Sequence, residues 1–184
     1  MAVTKQFYQG PEGAGISPSG GGVKQRVREN LFFKFESDFV ESGIRCIPMI
    51  ARFKLDACGI KLKLAEWSRM KPHERGWLAT APCETPEEIS AYRESLRALI
   101  FQRTGNDATD IPVPECPAWS RTDDIPFTIK EKLQEGGTFF SLEQWQDLND
   151  LQRFALLKLS YPGHENKNFP KAMAEFGLTQ QPAG

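Results

Sequence analysis

Apolar residues recur at intervals of four, four and three along two stretches of this chain. Ile47, Ala51, Leu55 and Cys58 form the first stripe, and Ile125, Ile129, Leu133 and Gly136 stand at the corresponding places in the second. Such spacing puts each set on one helical face. Pro48 and Pro126 fall in the first turn, where a missing N–H removes no helical hydrogen bond; Gly59 and Gly137 fall where a left-handed C-terminal residue is wanted. Each helix leads into a short connection, 60–63 or 138–141, that alternates enough to be briefly extended. A helix of one to two turns follows, carrying Leu64, Trp67 and Met70 or Leu142, Trp145 and Leu148, with Ser141 and Gln144 spelling a capping box in the second case. The next helix begins at Pro72 in the first stretch. In the second it is capped by Asn149, three residues before Gln152, and is lined by Leu151, Phe154, Ala155 and Leu159.

The two stretches share residues as well as pattern. Residues 47–78 slide onto 125–156 without a gap, and Ile47-Pro48, Lys54-Leu55, Gly59, Leu64, Trp67, Arg75 and Leu78 all meet their identical residues. Those are nine coincidences, where unrelated segments of ordinary composition would share about two. The chain therefore reads as a duplicated module, with repeat one at about 44–103 and repeat two at about 125–177. The strongest single helix is 86–103, capped by Thr85 with Glu88 three residues on and striped by Ile89, Tyr92, Leu96, Leu99 and Ile100. Thr104-Gly105-Asn106 ends it. Pro112, Pro114 and Pro117, with Asp107, Asp110, Asp123 and Asp124, mark 104–124 as a linker, and a shorter helix at about 170–176 closes the second repeat. Residues 30–42, rich in phenylalanine up to Phe39, predict a helix or short strand laid on the core, and periodicity does not choose between them. The Gly- and Ser-rich residues 1–29 predict a disordered tail. The expected fold class is thus mainly all-α: a compact domain over 30–184, built from two similar multi-helix repeats.

Composition narrows the function classes. With 40% hydrophobic and 26% charged residues the chain has the make-up of a soluble globular protein. Its formal net charge of -1 gives no global attraction to nucleic acid or anionic membrane. The apolar runs fall far short of the ~20 residues needed to span a bilayer, and the N-terminus lacks a signal-peptide pattern. Cys46, Cys58, Cys83 and Cys116 are scattered with no CxxC pair, so a reduced, cytoplasmic setting is expected. With only His73 and His164 to add, a metal site would need ligands gathered from across the fold. Neither metal nor cofactor is expected.

Function is sought where the repeats part company. The loop after Pro162-Gly163 sets five polar side chains in a row, His164, Glu165, Asn166, Lys167 and Asn168, before Phe169. An acid, bases and two amides in one loop suit hydrogen bonding to a ligand or a partner; the alternative is a solvated loop whose His164 or Asn168 caps the last helix. Arg153, matched by Arg75, stands in an apolar helix, where it pairs with a carboxylate, caps a carbonyl or reads a ligand. His73 aligns with Leu151 and is expected to be semi-buried and satisfied. Cys58, near a helix C-terminus, should have a raised pKa and be unreactive. Arg93, Arg97 and Arg103 read as a solvated face. No nucleophile–base spacing, phosphate loop or nucleic-acid module accompanies these residues.

Several strings carry a family resemblance. They are Phe33-Lys34-Phe35-Glu36, Arg45-Cys46-Ile47-Pro48-Met49, Lys54-Leu55-Asp56-Ala57-Cys58-Gly59-Ile60-Lys61-Leu62, Thr85-Pro86-Glu87-Glu88-Ile89, Leu151-Gln152-Arg153-Phe154-Ala155-Leu156 and, most specific of all, Ser160-Tyr161-Pro162-Gly163-His164-Glu165-Asn166-Lys167-Asn168-Phe169. Over about residues 30–176 the chain resembles the nitrate reductase-associated protein family. That resemblance implies a non-catalytic accessory or maturation factor whose partner is assimilatory nitrate reductase, and it supplies no catalytic residues. The competing expectation is a small-anion or cofactor-binding protein, sensor or enzyme, that uses the 162–169 loop.

Overall fold

The computed structural model describes residues 31–37, 46–163 and 166–178. The tail 1–29, Phe39 and the pair His164-Glu165 lie outside the described residues. Among the described residues eight α-helices carry the fold: α1 (Met49–Cys58), α2 (Leu64–Arg69), α3 (Pro72–Thr80), α4 (Pro86–Thr104), α5 (Phe127–Glu135), α6 (Leu142–Asp147), α7 (Asp150–Ser160) and α8 (Phe169–Glu175). Short 3-10 turns at Lys34–Glu36, Ala118–Ser120 and Asn166–Asn168 join them, with a two-residue ladder of β1 (Ile60–Lys61) and β2 (Thr109–Asp110). The mainly all-α expectation is met.

Local chemistry sets the helix ends. Thr85, Ser141 and Asn149 each accept the N–H three residues on, from Glu88, Gln144 and Gln152, whose side chains return to the cap N–H; orphan donors are thereby satisfied. Pro48 and Pro126 occupy the N-cap position, one residue before the first turn assigned to them by sequence. Helix starts in the two halves keep one spacing: α1 and α5, α2 and α6, and α3 and α7 each begin 78 residues apart.

Two apolar clusters fill the interior. One gathers Leu55, Cys58, Trp67, Leu78, Tyr92, Leu96 and Ile100 around α4; the other gathers Met49, Ile129, Trp145, Phe154, Leu156, Phe169 and Met173 around α7. Helix α1 belongs to both, with Met49 in one and Leu55 and Cys58 in the other, and a 2.7 Å ion pair from Lys158 to Asp56 ties it to α7. The segment 31–37 closes the second cluster. Glu175 accepts the N–H groups of Lys34 (2.8 Å) and Phe35 (3.1 Å), and the buried Glu36 accepts that of Met49 at 2.8 Å. Leu64 and Leu142, which lead the apolar sets of these short helices, are exposed. Each opens a six-residue helix that buries its tryptophan instead.

Residues 104–124 are structural rather than a plain linker. Asp110 receives both Arg93 (2.8 Å) and Arg97 (2.6 Å), and Arg93 also donates to the carbonyls of Cys58 and Gly59 at the end of α1. Trp119 packs on Phe53 at 4.9 Å between ring centroids. The arginines read as a solvated face are thus tied down, as is Arg103, which grips Glu74.

Gly59 has φ 67°, and a Cβ there would meet Val113 Cγ2 at 2.8 Å and the Ile111 carbonyl at 3.0 Å. Gly137 has a similar φ of 60° and open space around it. Gly59→Ala should therefore cost more than the roughly 1–2 kcal/mol of a left-handed alanine, while Gly137→Ala should show only that backbone part. Equal falls in melting temperature would mean that the close approach at Gly59 carries no weight.

Candidate functional site

The polar loop follows α7. Tyr161, Pro162 and Gly163 are exposed, and the 3-10 turn Asn166–Asn168 leads directly into α8. Only the backbone of Asn166 is described. Asn168 is buried at 5% exposure and holds the N-cap position of α8 without a side-chain cap hydrogen bond. Lys167 is exposed and borders a recess of about 410 Å³ between the end of α5 and the start of α8, which Lys132, Glu135 and Thr138 also border. Among the described side chains of the residues proposed from sequence, Lys167 borders this concave surface.

Arg153 stands apart from that recess. Its guanidinium donates to the carbonyls of Trp119 (3.0 Å), Gln146 and Leu148, pairs with Asp150 and lies over the Trp145 ring. The side chain is 8% exposed. Arg75 acts alike in the first half, donating to Trp67 (3.1 Å) and Ser68 (2.9 Å) carbonyls and lying over the Trp67 ring. A planar fork of donors suits this task, because the last carbonyls of a short helix lack intrahelical partners. Of the roles open to Arg153 from sequence, carbonyl capping and carboxylate pairing are both in place, and they use four of its five N–H donors.

A second concave surface lies between α3 and α4, a groove of about 500 Å³ lined by His73, Glu74, Trp77, Ser95, Leu99 and Gln102 among others. Trp77 is 38% exposed and stacks on Tyr92 at 5.5 Å. His73, expected to be semi-buried, has a side chain 75% exposed at the rim, 4.0 Å from Glu74. The exposed Trp77 leaves a trace in the aligned halves. Gly76-Trp77 falls on Phe154-Ala155, so the aromatic side chain moves one residue, about 100° around the helix, from the core to the surface. That exchange was in the sequence and was not read as a site.

Titratable groups elsewhere are locked by packing. Burial pushes the Cys58 thiol up to about 11 and raises that of Cys83, so neither supplies a thiolate readily. For Cys58 the leading cause is burial, where the sequence pointed to the helix end. Tyr92 is raised by burial as well, with its hydroxyl donating to the Leu78 carbonyl at 2.9 Å. The Arg103 guanidinium holds Glu74 below the usual carboxylate range. Among the described residues no group of three His, Cys, Asp or Glu side chains is placed to hold a metal, and no helix is long and apolar enough to cross a membrane.

Among the described residues, fold and surface define a small helical protein with two tightly packed clusters, an apolar groove and a lysine-rimmed recess. The chain belongs to the conserved nitrate reductase-associated protein family, whose sequence profile matches residues 32–176. No curated protein matches the chain, and no solved structure matches it.

Proposed function

We propose that this protein is a non-catalytic accessory or maturation factor that binds assimilatory nitrate reductase. Family membership over residues 32–176 carries that reading. The α3–α4 groove fits it: an exposed tryptophan in an apolar depression is the kind of side chain that anchors protein interfaces. The occupant we assign to the groove is an apolar segment of the reductase. A cytoplasmic setting belongs to the same reading, supported by four free thiols. We also take the two halves as copies of one helical unit, on the strength of their constant 78-residue register.

Deleting the gene should abolish growth on nitrate while sparing growth on ammonium or nitrite. Unchanged reductase activity in the deletion strain would overturn the accessory role. Complementation with Trp77→Gln should leave the protein folded, because the side chain is already part exposed, yet restore little reductase activity and recover little reductase in affinity purification. Full rescue by that variant would move the binding face away from the groove.

A further inference from the structure

The recess between α5 and α8 holds about 410 Å³, a volume typical of small-molecule sites. Its floor is apolar, with Phe169 and Met173 each 2% exposed and Pro170 beside them. Its rim is cationic. We propose that this recess binds a small organic anion, with an acidic head group held by Lys132 and Lys167 and an apolar body resting on Phe169, Pro170 and Met173.

Three observations support that ligand class. First, the rim sets two ammonium groups against one carboxylate. Lys132 is 2.8 Å from Glu135, whose side chain is 67% exposed; such a pair is worth little in water, so a ligand acid can displace Glu135 at small cost. Lys167 has no hydrogen-bond or ion-pair partner among the described residues. Second, the C-terminal end of α5, which by itself disfavours an anion, has its acceptors taken up. Gly136, Gly137 and Thr138 donate their N–H groups to the carbonyls of Lys132 (3.2 Å), Gln134 (3.1 Å) and Leu133 (3.0 Å), so those acceptors are already satisfied. Third, the lysine in the same register has a different task. Lys54, 78 residues before Lys132, donates to the carbonyls of Ala79 (2.7 Å) and Ala81 (2.6 Å), and burial holds its pKa down. Lys132 makes no such backbone tie among the described residues. One half uses this lysine as a brace, and the other presents it beside a cavity.

Anilinonaphthalene sulfonate, an aromatic anion, and its uncharged analogue phenylnaphthylamine are suitable fluorescent probes. The anion should bind the full chain at a single saturable site, at least about tenfold more tightly than the uncharged analogue, a difference set by one favourable charge contact. Lys167→Glu should weaken the anion by about tenfold or more with the melting temperature unchanged, since Lys167 is exposed; Lys132→Met should weaken it independently. Trp77→Gln should leave its binding as it is. Equal binding of the uncharged probe, unchanged affinity in both lysine variants, loss of binding in Trp77→Gln or the absence of a saturable site would each overturn the proposal. Growth on nitrate is not a readout, so this test stands apart from that of the accessory role.

Discussion

Trp145→Ala should remove about 3–5 kcal/mol of stability, the usual range for deleting a fully buried large aromatic. In a domain of this size that is a melting-temperature fall of roughly 6–20 °C. Trp145 has 0% exposure. It stacks on Phe140 at 6.3 Å, lies beneath the Arg153 guanidinium and donates its indole N–H to the Arg121 carbonyl at 2.9 Å. The alanine variant loses the ring and leaves a cavity in the second cluster, and it frees a carbonyl that anchors the 104–124 segment. Trp77→Gln removes a ring that is more than a third exposed, and its cost should stay below about 1 kcal/mol. Thermal unfolding of the two variants side by side measures the contrast. Coincident melting would mean that the second cluster closes over the missing ring and that burial does not separate the two tryptophans.

Helix ends were legible because they are local. Thr85 with Glu88, Ser141 with Gln144 and Asn149 with Gln152 satisfy one another within four residues, and Gly59 takes up the left-handed conformation its position required. Features that depend on a distant partner were not legible. Arg93 and Arg97 look solvated along their own helix. Their partner Asp110 lies in a proline-rich segment with no periodicity, so the carboxylate that fixes them leaves no mark on the pattern. Trp119 was hidden in the same way, a partly buried aromatic packed against the second cluster from a stretch that reads as a spacer.

The candidate surfaces divide along the same line. Lys167 was found from loop composition, but the lysine facing the same recess, Lys132, was read only as a repeated residue; its neighbour across the cavity comes from α8, beyond the reach of any helical stripe. The Trp77 groove depends on how α4 crosses α3, which periodicity does not encode. Its one sequence trace is the displacement of an aromatic between Gly76-Trp77 and Phe154-Ala155.

Arg153→Ala should cost about 3–5 kcal/mol, nearly as much as losing the tryptophan beneath it. The carbonyls of Trp119, Gln146 and Leu148 lose a charged donor, at roughly 1–3 kcal/mol for each one left buried without a partner, although water can reach some of them. Asp150, with a side chain 59% exposed, is resolvated at little cost. Arg153→Lys retains the charge but offers one compact ammonium in place of a planar fork, so it cannot reach three carbonyls and a carboxylate together and should fall between wild type and alanine. Urea unfolding gives the order, and the anionic naphthalene probe separates stability from ligand reading. If Arg153 read a ligand, the alanine variant would unfold like wild type and lose only binding. The contacts require the opposite: a lower urea midpoint for Arg153→Ala, no shift for Lys167→Glu, and loss of probe affinity in Lys167→Glu under conditions where both proteins remain folded.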